Sequence, residues 1–244
     1  MKLPTEVLPY LRGEKFSNAL AVSYSYKQPI PNRVELLTQL SVGKKIVHLG
    51  CLDHLPLIDE KVKNGQWLHK RITEQASKCI GIDINRETNE YVRQRYGINN
   101  VVICDITAAS IPEIIQEQWD YAILGELLEH IDNPVDYLAS IRETYHGHVD
   151  QLIITVPNAF TRENFRQSKR SVEKINSDHR YWFTPYTLSK VMLQAGIEVT
   201  EIKFANRIRL TKGELIHRKM LTLFGQQPVY GFDHASSIVG IGKL

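Results

Sequence analysis

At 244 residues and 43% hydrophobic content, the chain can bury one large core but suits two independent ones poorly. Thirty basic against 27 acidic side chains leave a net charge of +3, too mild to indicate a nucleic-acid partner. No apolar run approaches the ~18 residues that cross a bilayer, and Pro4, Glu6 and Pro9 stand where a secretory signal would be apolar. Cys51, Cys79 and Cys104 each sit in or beside an expected buried strand, which points to free thiols and a cytoplasmic protein rather than a disulfide framework.

Residues 1–43 fit no regular α/β pattern and are expected to form a helical extension, capping a site or packing on the sheet. From residue 44 onward, β-branched runs alternate with amphipathic stretches, the pattern of a parallel sheet with crossover helices. The first strand is K-I-V-H-L (45–49), closed by Gly50, and a charged segment then becomes helical over about 67–77. A second strand (79–84), a helix (86–96), a third strand (101–104) and a fourth (120–124) follow. Next come a helix over 134–145 and a fifth strand over 151–156, ended by Pro157 and Asn158. A polar loop to about Arg180 precedes a helix that starts at Pro185 and stops at Ala195-Gly196. The sixth strand covers 197–204 and the seventh 236–241.

Right-handed crossovers bring the carboxyl ends of parallel strands to one edge, where open α/β sheets bind ligands. Polar residues follow four successive strands there. Gly50-Cys51-Leu52-Asp53-His54 follows the first, where a glycine permits close approach of backbone to ligand. Asp83 ends the second strand, where a carboxylate meets a ribose diol in such folds, and Ile84 follows it. Asp105 and Ile106 end the third, and Gly125-Glu126 the fourth, with His130 one helical turn further on. Each acid alone is equally well read as a helix cap; the set converging on one crevice is not.

The stretch W-D-Y-A-I-L-G-E-L-L-E-H-I-D-N-P (119–134) resembles the fourth strand and following segment of class I S-adenosylmethionine-dependent methyltransferases. G-I-D-I-N (81–85), V-V-I-C-D-I-T (101–107), I-I-T-V-P-N (153–158) and H-R-Y-W-F-T-P-Y-T-L (179–188) resemble further segments of that family, in the right order over roughly residues 44–204. The resemblance implies a single methyltransferase domain over 44–244. Its sheet would be seven-stranded, mostly parallel and Rossmann-like, with helices on both faces and an antiparallel last strand. It implies S-adenosylmethionine as methyl donor and S-adenosylhomocysteine as product. Gly50, Cys51, Asp53 and His54 would lie against the methionine part, Asp83 and Ile84 at the ribose, Asp105 and Ile106 at the adenine, and Gly125 and Glu126 near the sulfonium. The first motif departs from the family pattern: His48 stands where an acid is common, and Leu52 and His54 replace two glycines.

His130 and His179 are the candidate catalytic residues, because a neutral imidazole can take a proton from an acceptor hydroxyl or amine near pH 7. The plainer reading makes both of them structural. Tyr181 and Trp182 are candidate walls of an acceptor pocket. No histidine–cysteine or histidine–carboxylate spacing stands out as a metal site. Basic residues recur over 162–180 and again at Lys203, Arg207, Arg209, Lys212, Arg218 and Lys219, where they could close over an anionic acceptor or simply be solvated. The expected activity is methyl transfer to oxygen or nitrogen of a small-molecule or sugar-linked acceptor, with no membrane span. A nucleic-acid acceptor ranks second, because no N-P-P-Y-like or D-P-P-Y-like strand end follows the fourth strand. A methyltransferase fold kept as a non-catalytic binding partner is the alternative, and a nicotinamide oxidoreductase ranks lower because Leu52 occupies its second glycine.

Overall fold

The computed structural model describes residues 1–24, 26, 28–108, 110–223 and 231–244, without the side chains of 217–219, 221 and 222. In chain order the elements are α1 (Leu8–Leu11), α2 (Arg33–Leu40), β1 (Lys45–Leu49), α3 (Leu55–Lys63), α4 (Leu68–Gln75), β2 (Lys78–Asp83), α5 (Arg86–Tyr96), β3 (Val101–Ile103) and α6 (Pro112–Ile115). They continue as β4 (Trp119–Gly125), α7 (Pro134–Tyr145), β5 (Val149–Pro157), α8 (Arg162–Ser168), α9 (Pro185–Gln194), β6 (Glu198–Arg207), α10 (Lys212–Leu223) and β7 (Ala235–Lys243).

The seven strands form one sheet in the order β3-β2-β1-β4-β5-β7-β6. Neighbours from β3 to β5 pair in parallel, while β7 runs antiparallel to both β5 and β6. Strand order reverses between β1 and β4, which opens a crevice above their carboxyl ends.

Alternation along the central strands builds the core. Ile46, Ile123 and Ile153 pack on one face with Leu37 of α2 and Leu68 and Ile72 of α4. Val47, Leu124 and Ile154 point to the other face, against Leu138 and Ile141 of α7 and Leu188 and Met192 of α9. Short polar residues start the helices. Asn32, Asn85, Asn133 and Thr161 each accept from backbone N–H groups of the following turn, and Thr184 forms a capping box with Thr187.

Several elements exceed the sequence expectation. The charged segment after Gly50 already holds α3, whose first-turn Pro56 and last-turn Lys61 and Lys63 are helix signals. Only Ile58 of α3 is buried, and the nine-residue helix is short, nearly half charged and carries a proline near its start. The polar loop expected up to Arg180 contains α8, which buries no residue. The second basic stretch contains α10; the side chains of Arg218 and Lys219 lie outside the described residues. No described helix is long and apolar enough to cross a membrane.

Residues 1–43 attach to both ends of the fold. Lys190 Nζ and Gln194 Nε2 of α9 donate to the carbonyls of Tyr10 (3.2 Å) and Leu11 (3.4 Å) at α1. At the start of α2, Arg33 N–H donates to Asn206 Oδ1 (2.8 Å), which directs the Arg33 side chain over the ends of β4 and β5.

Candidate functional site

A cleft of about 770 Å³ lies above the carboxyl ends of β1 to β4. Of the residues singled out from sequence, Gly50, Asp53, His54, Asp83, Ile84, Asp105, Ile106, Gly125, Glu126, His130 and His179 all line it. Cys51 does not. Its side chain is buried, its carbonyl accepts from Trp67 Nε1–H (3.3 Å), and burial raises its thiol well above the ordinary range.

The turn after β1 is fastened to the strand beside it. Gly50 has φ +64°, a conformation that disfavours residues with a Cβ, and a Cβ there would stand 2.8 Å from a Leu127 methyl. Leu52 N–H then donates to Asp83 Oδ2 (2.8 Å) and Asn85 N–H to Asp83 Oδ1 (2.9 Å). One carboxylate therefore clamps the β1 turn and the β2 turn together, with lone pairs left for a ligand. Asp105 Oδ1 is held similarly by the N–H and hydroxyl of Thr107 (2.9 and 2.7 Å). Buried Ile106 lines the same cleft as these acids, as does Ile84, which is 75% exposed. An apolar side chain left bare beside two anchored carboxylates fits a flat heteroaromatic group with polar edges.

The altered first motif is absorbed by packing. His48 Nδ1 lies 3.2 Å from Nδ1 of His69 on α4. Asn100 Nδ2 donates to the Cys79 carbonyl (3.0 Å), which turns Asn100 Oδ1 toward His69 Nε2 (3.4 Å). His69 therefore carries its proton on Nε2 and accepts on Nδ1 from His48. Burial lowers both imidazoles, His69 to about 4, so the pair is neutral at pH 7. Gly81 makes room for it: a Cβ there would meet Cys51 Sγ at 2.6 Å and His69 Cε1 at 2.7 Å. Leu52 packs with Ile58, Trp67 and Val92, which is how a leucine fills a glycine's usual place. Asp53, in the same turn, is paired with Lys61.

On the β4 side, Glu126 follows the strand at φ +56°, a strained value for a residue with a side chain. Its N–H donates to the Thr155 carbonyl (2.9 Å), and its Oε1 accepts from the Ser237 hydroxyl (2.7 Å) and faces Arg33 Nε at 3.4 Å. The next turn, Leu128–His130, brings up Glu129, which is 1% exposed. Burial raises Glu129 to about 8, helped by the nearby Glu126 charge. His179 arrives from the distant loop before α9, its ring 4.7 Å from that of His130 in a T-shaped contact. Burial and His130 lower the His179 imidazole below the usual value. Arg180 holds this loop down: its N–H donates to the Glu129 carbonyl (2.8 Å), Nη1 to the His130 carbonyl (2.5 Å), and Nε to Asp132.

Arg33, Lys61, Leu127, Glu129, Tyr137, Asn176 and Asp178 line the cleft without having been singled out. Glu129 was the legible one, three residues after Glu126 and next to His130. Sequence reasoning found no metal-type spacing, yet Glu129, His130 and His179 converge because the fold closes a gap of 48 residues between His130 and His179.

The other candidates fall outside the cleft. Tyr181 donates to the Asp132 carbonyl (2.7 Å), and Trp182 donates to Glu173 (3.0 Å) while its ring backs His179 at 6.5 Å. Arg162 pairs with Glu214 and Asp233, Arg166 with Glu163, and Arg180 with Asp132. Among the described residues the lysines and arginines that line the cleft are Arg33 and Lys61, each already facing an acid.

Residues 64–145 match the family described as "Methyltransferase domain". The fold is shared with a S-adenosylmethionine-dependent methyltransferase from Archaeoglobus fulgidus, at 16% identity and TM-score 0.51, covering 86% of this chain and 94% of that one. It is shared with magnesium protoporphyrin IX methyltransferase from Synechocystis PCC 6803, which carries bound S-adenosylhomocysteine (11% identity, TM-score 0.53, 86% and 81% covered). The small RNA methyltransferase HEN1 matches over 93% of this chain and 27% of that one, with 16% identity and TM-score 0.52. No curated protein sequence matches the chain. The chain therefore shares the α/β fold of S-adenosylmethionine-dependent methyltransferases and carries a methyltransferase-domain match over residues 64–145. The similar structures are named for acceptors as different as a porphyrin and an RNA, so the acceptor does not follow from the shared fold.

Proposed function

We propose that the cleft holds S-adenosylmethionine along the ends of β1 to β3 and presents an acceptor oxygen or nitrogen beside the turn after β4. One observation carries this reading. The Gly50 turn, Asp83, Ile84 and Asp105, at the ends of β1 to β3, line the same cleft as Glu129 and His130, which follow β4, and His179.

When bound, the cofactor supplies an electrophilic methyl group on a sulfonium leaving group. The protein's task is then mainly alignment. Asp83 offers its free lone pairs to the ribose hydroxyls, Asp105 accepts from the adenine edge, and Ile84 and Ile106 sandwich the ring. Gly50, with Cys51 contributing only its backbone, and the Asp53-His54 turn receive the methionine part. Gly125 and Glu126 border the reacting carbon. His130 and His179 stand where an acceptor proton leaves.

The acceptor is read as a small molecule or the terminal sugar of a larger one, because a cleft of about 770 Å³ must hold both ligands. An anionic acceptor is not favoured, since the two cations in the cleft already have carboxylate partners. Residues 44–244 serve as the methyltransferase domain and 1–43 as an extension that delivers Arg33 to it.

Calorimetric titration with S-adenosylhomocysteine, beside Asp83→Ala and Asp83→Asn, tests the reading. Micromolar binding weakened by roughly 10- to 100-fold in Asp83→Ala is the expected result. Binding by the native chain that is indifferent to Asp83 would overturn the placement.

A further inference from the structure

Glu129, His130 and His179 each offer one ligand atom, and those atoms all lie within 4.8 Å of one another. Two of these side chains have polar atoms left bare in the interior. Glu129 Oε2 and His179 Nδ1 are buried with no hydrogen-bond partner among the described residues, on side chains 1% and 12% exposed. His179 Nε2 lies 4.0 Å from Glu129 Oε1, too far for a hydrogen bond to settle the carboxylate. A buried carboxylate oxygen and a buried ring nitrogen without partners each cost about 1–3 kcal/mol, so folded proteins rarely keep them idle.

We infer that Glu129, His130 and His179 bind a divalent first-row transition-metal ion, whose open positions take an oxygen of the methyl acceptor. Two imidazoles and one carboxylate are the donor set of Zn²⁺, Mn²⁺, Fe²⁺ or Co²⁺ sites that keep room for substrate. Mg²⁺ and Ca²⁺ favour an all-oxygen shell and fit this set less well. The scaffold is held from two sides. Glu129 and His130 share one 3-10 turn, and the Arg180 contacts to the carbonyls of both residues bolt the His179 loop onto that turn. All three residues line the cleft that also holds Asp83 and Asp105, so an ion there lies within reach of a bound acceptor. The bound ion lowers the pKa of a coordinated hydroxyl, so its proton leaves to solvent or buffer before the oxygen attacks the methyl carbon. The imidazoles then act as ligands and not as bases.

The ion site stands on its own geometry, whereas its role toward the acceptor rests on the methyl-transfer reading. The two are tested separately. Chelator-treated full-length protein is titrated with Co²⁺ by visible absorption and with Mn²⁺ by electron paramagnetic resonance, and in parallel with S-adenosylhomocysteine by calorimetry. One equivalent of Co²⁺ should bind with a visible spectrum showing imidazole ligation. Glu129→Gln and His179→Asn should each weaken that binding at least ~10-fold while S-adenosylhomocysteine still binds, which shows the variants folded. Absence of saturable binding below ~1 mM, or equal affinity in both variants, overturns the site. Co²⁺ binding by a chain that ignores S-adenosylhomocysteine keeps the ion site and severs it from methyl transfer.

Discussion

Arg33, at the first turn of α2, faces Glu126, just past the end of β4, with Nε and Oε1 3.4 Å apart. The two residues are 93 positions apart, and the guanidinium also reaches Thr155 Oγ1 (3.5 Å). Glu126 sits at positive φ, so its carboxylate needs neighbours that hold it in place. Arg33→Met leaves that carboxylate part-buried with Ser237 as its hydroxyl donor. The expected loss is about 1–3 kcal/mol in urea unfolding, with turnover reduced as well. Unchanged stability and turnover would show that the pair is incidental.

Acid should weaken the fold through His48 and His69. Their buried imidazoles share one proton across 3.2 Å, and His69 is lowered from 6.5 to about 4. Between these values the unfolded chain binds more protons than the folded one, so stability rises with pH there. It is fully present above about pH 6.5 and is lost as pH falls toward 4. The contribution is on the order of 3 kcal/mol. Thermal melts from pH 7.5 to 4.5 measure it, and His69→Gln should flatten the slope. An equally steep slope in that variant would assign acid lability elsewhere.

Gly81→Ala should destabilise by about 1–3 kcal/mol, because its Cβ would press on Cys51 Sγ and His69 Cε1 in a close-packed interior. Chemical denaturation measures the change. The companion change Cys51→Ala removes the sulfur and should recover part of the loss. A wild-type midpoint for Gly81→Ala alone would mean that the β2 backbone shifts freely.

Arg180 separates stability from function. Its side chain is 47% exposed, so Arg180→Ala should change unfolding by less than about 1 kcal/mol. The same change removes the guanidinium contacts to the His130 carbonyl and Asp132 and so loosens the loop that carries His179, and turnover should fall at least ~10-fold. Full activity in the variant would show that the loop is held without it.

Much of the architecture was legible in order and type. The runs K-I-V-H-L, C-I-G-I-D and I-I-T-V are strands because β-branched residues fill both faces of a covered parallel sheet. Pro134 and Pro185 mark helix starts because a missing N–H costs nothing there. α3 and α8 were not legible because each is short and buries little apolar surface, Ile58 alone in α3 and none in α8.

Sequence alone determined the strand-end residues of the cleft. Gly50, Asp83, Asp105 and Gly125-Glu126 follow successive strands, and parallel topology sends every such residue to one edge. Tertiary structure decided the partnerships across the chain. Arg33 reaches Glu126 through a helix expected only as an extension, His48 finds His69 across two elements, and His179 joins Glu129 and His130 when Arg180 fastens its loop. Local order follows from spacing along the chain, but a contact between residues dozens of positions apart depends on where loops return. Those paths are set by packing and by hydrogen bonds that no short stretch contains.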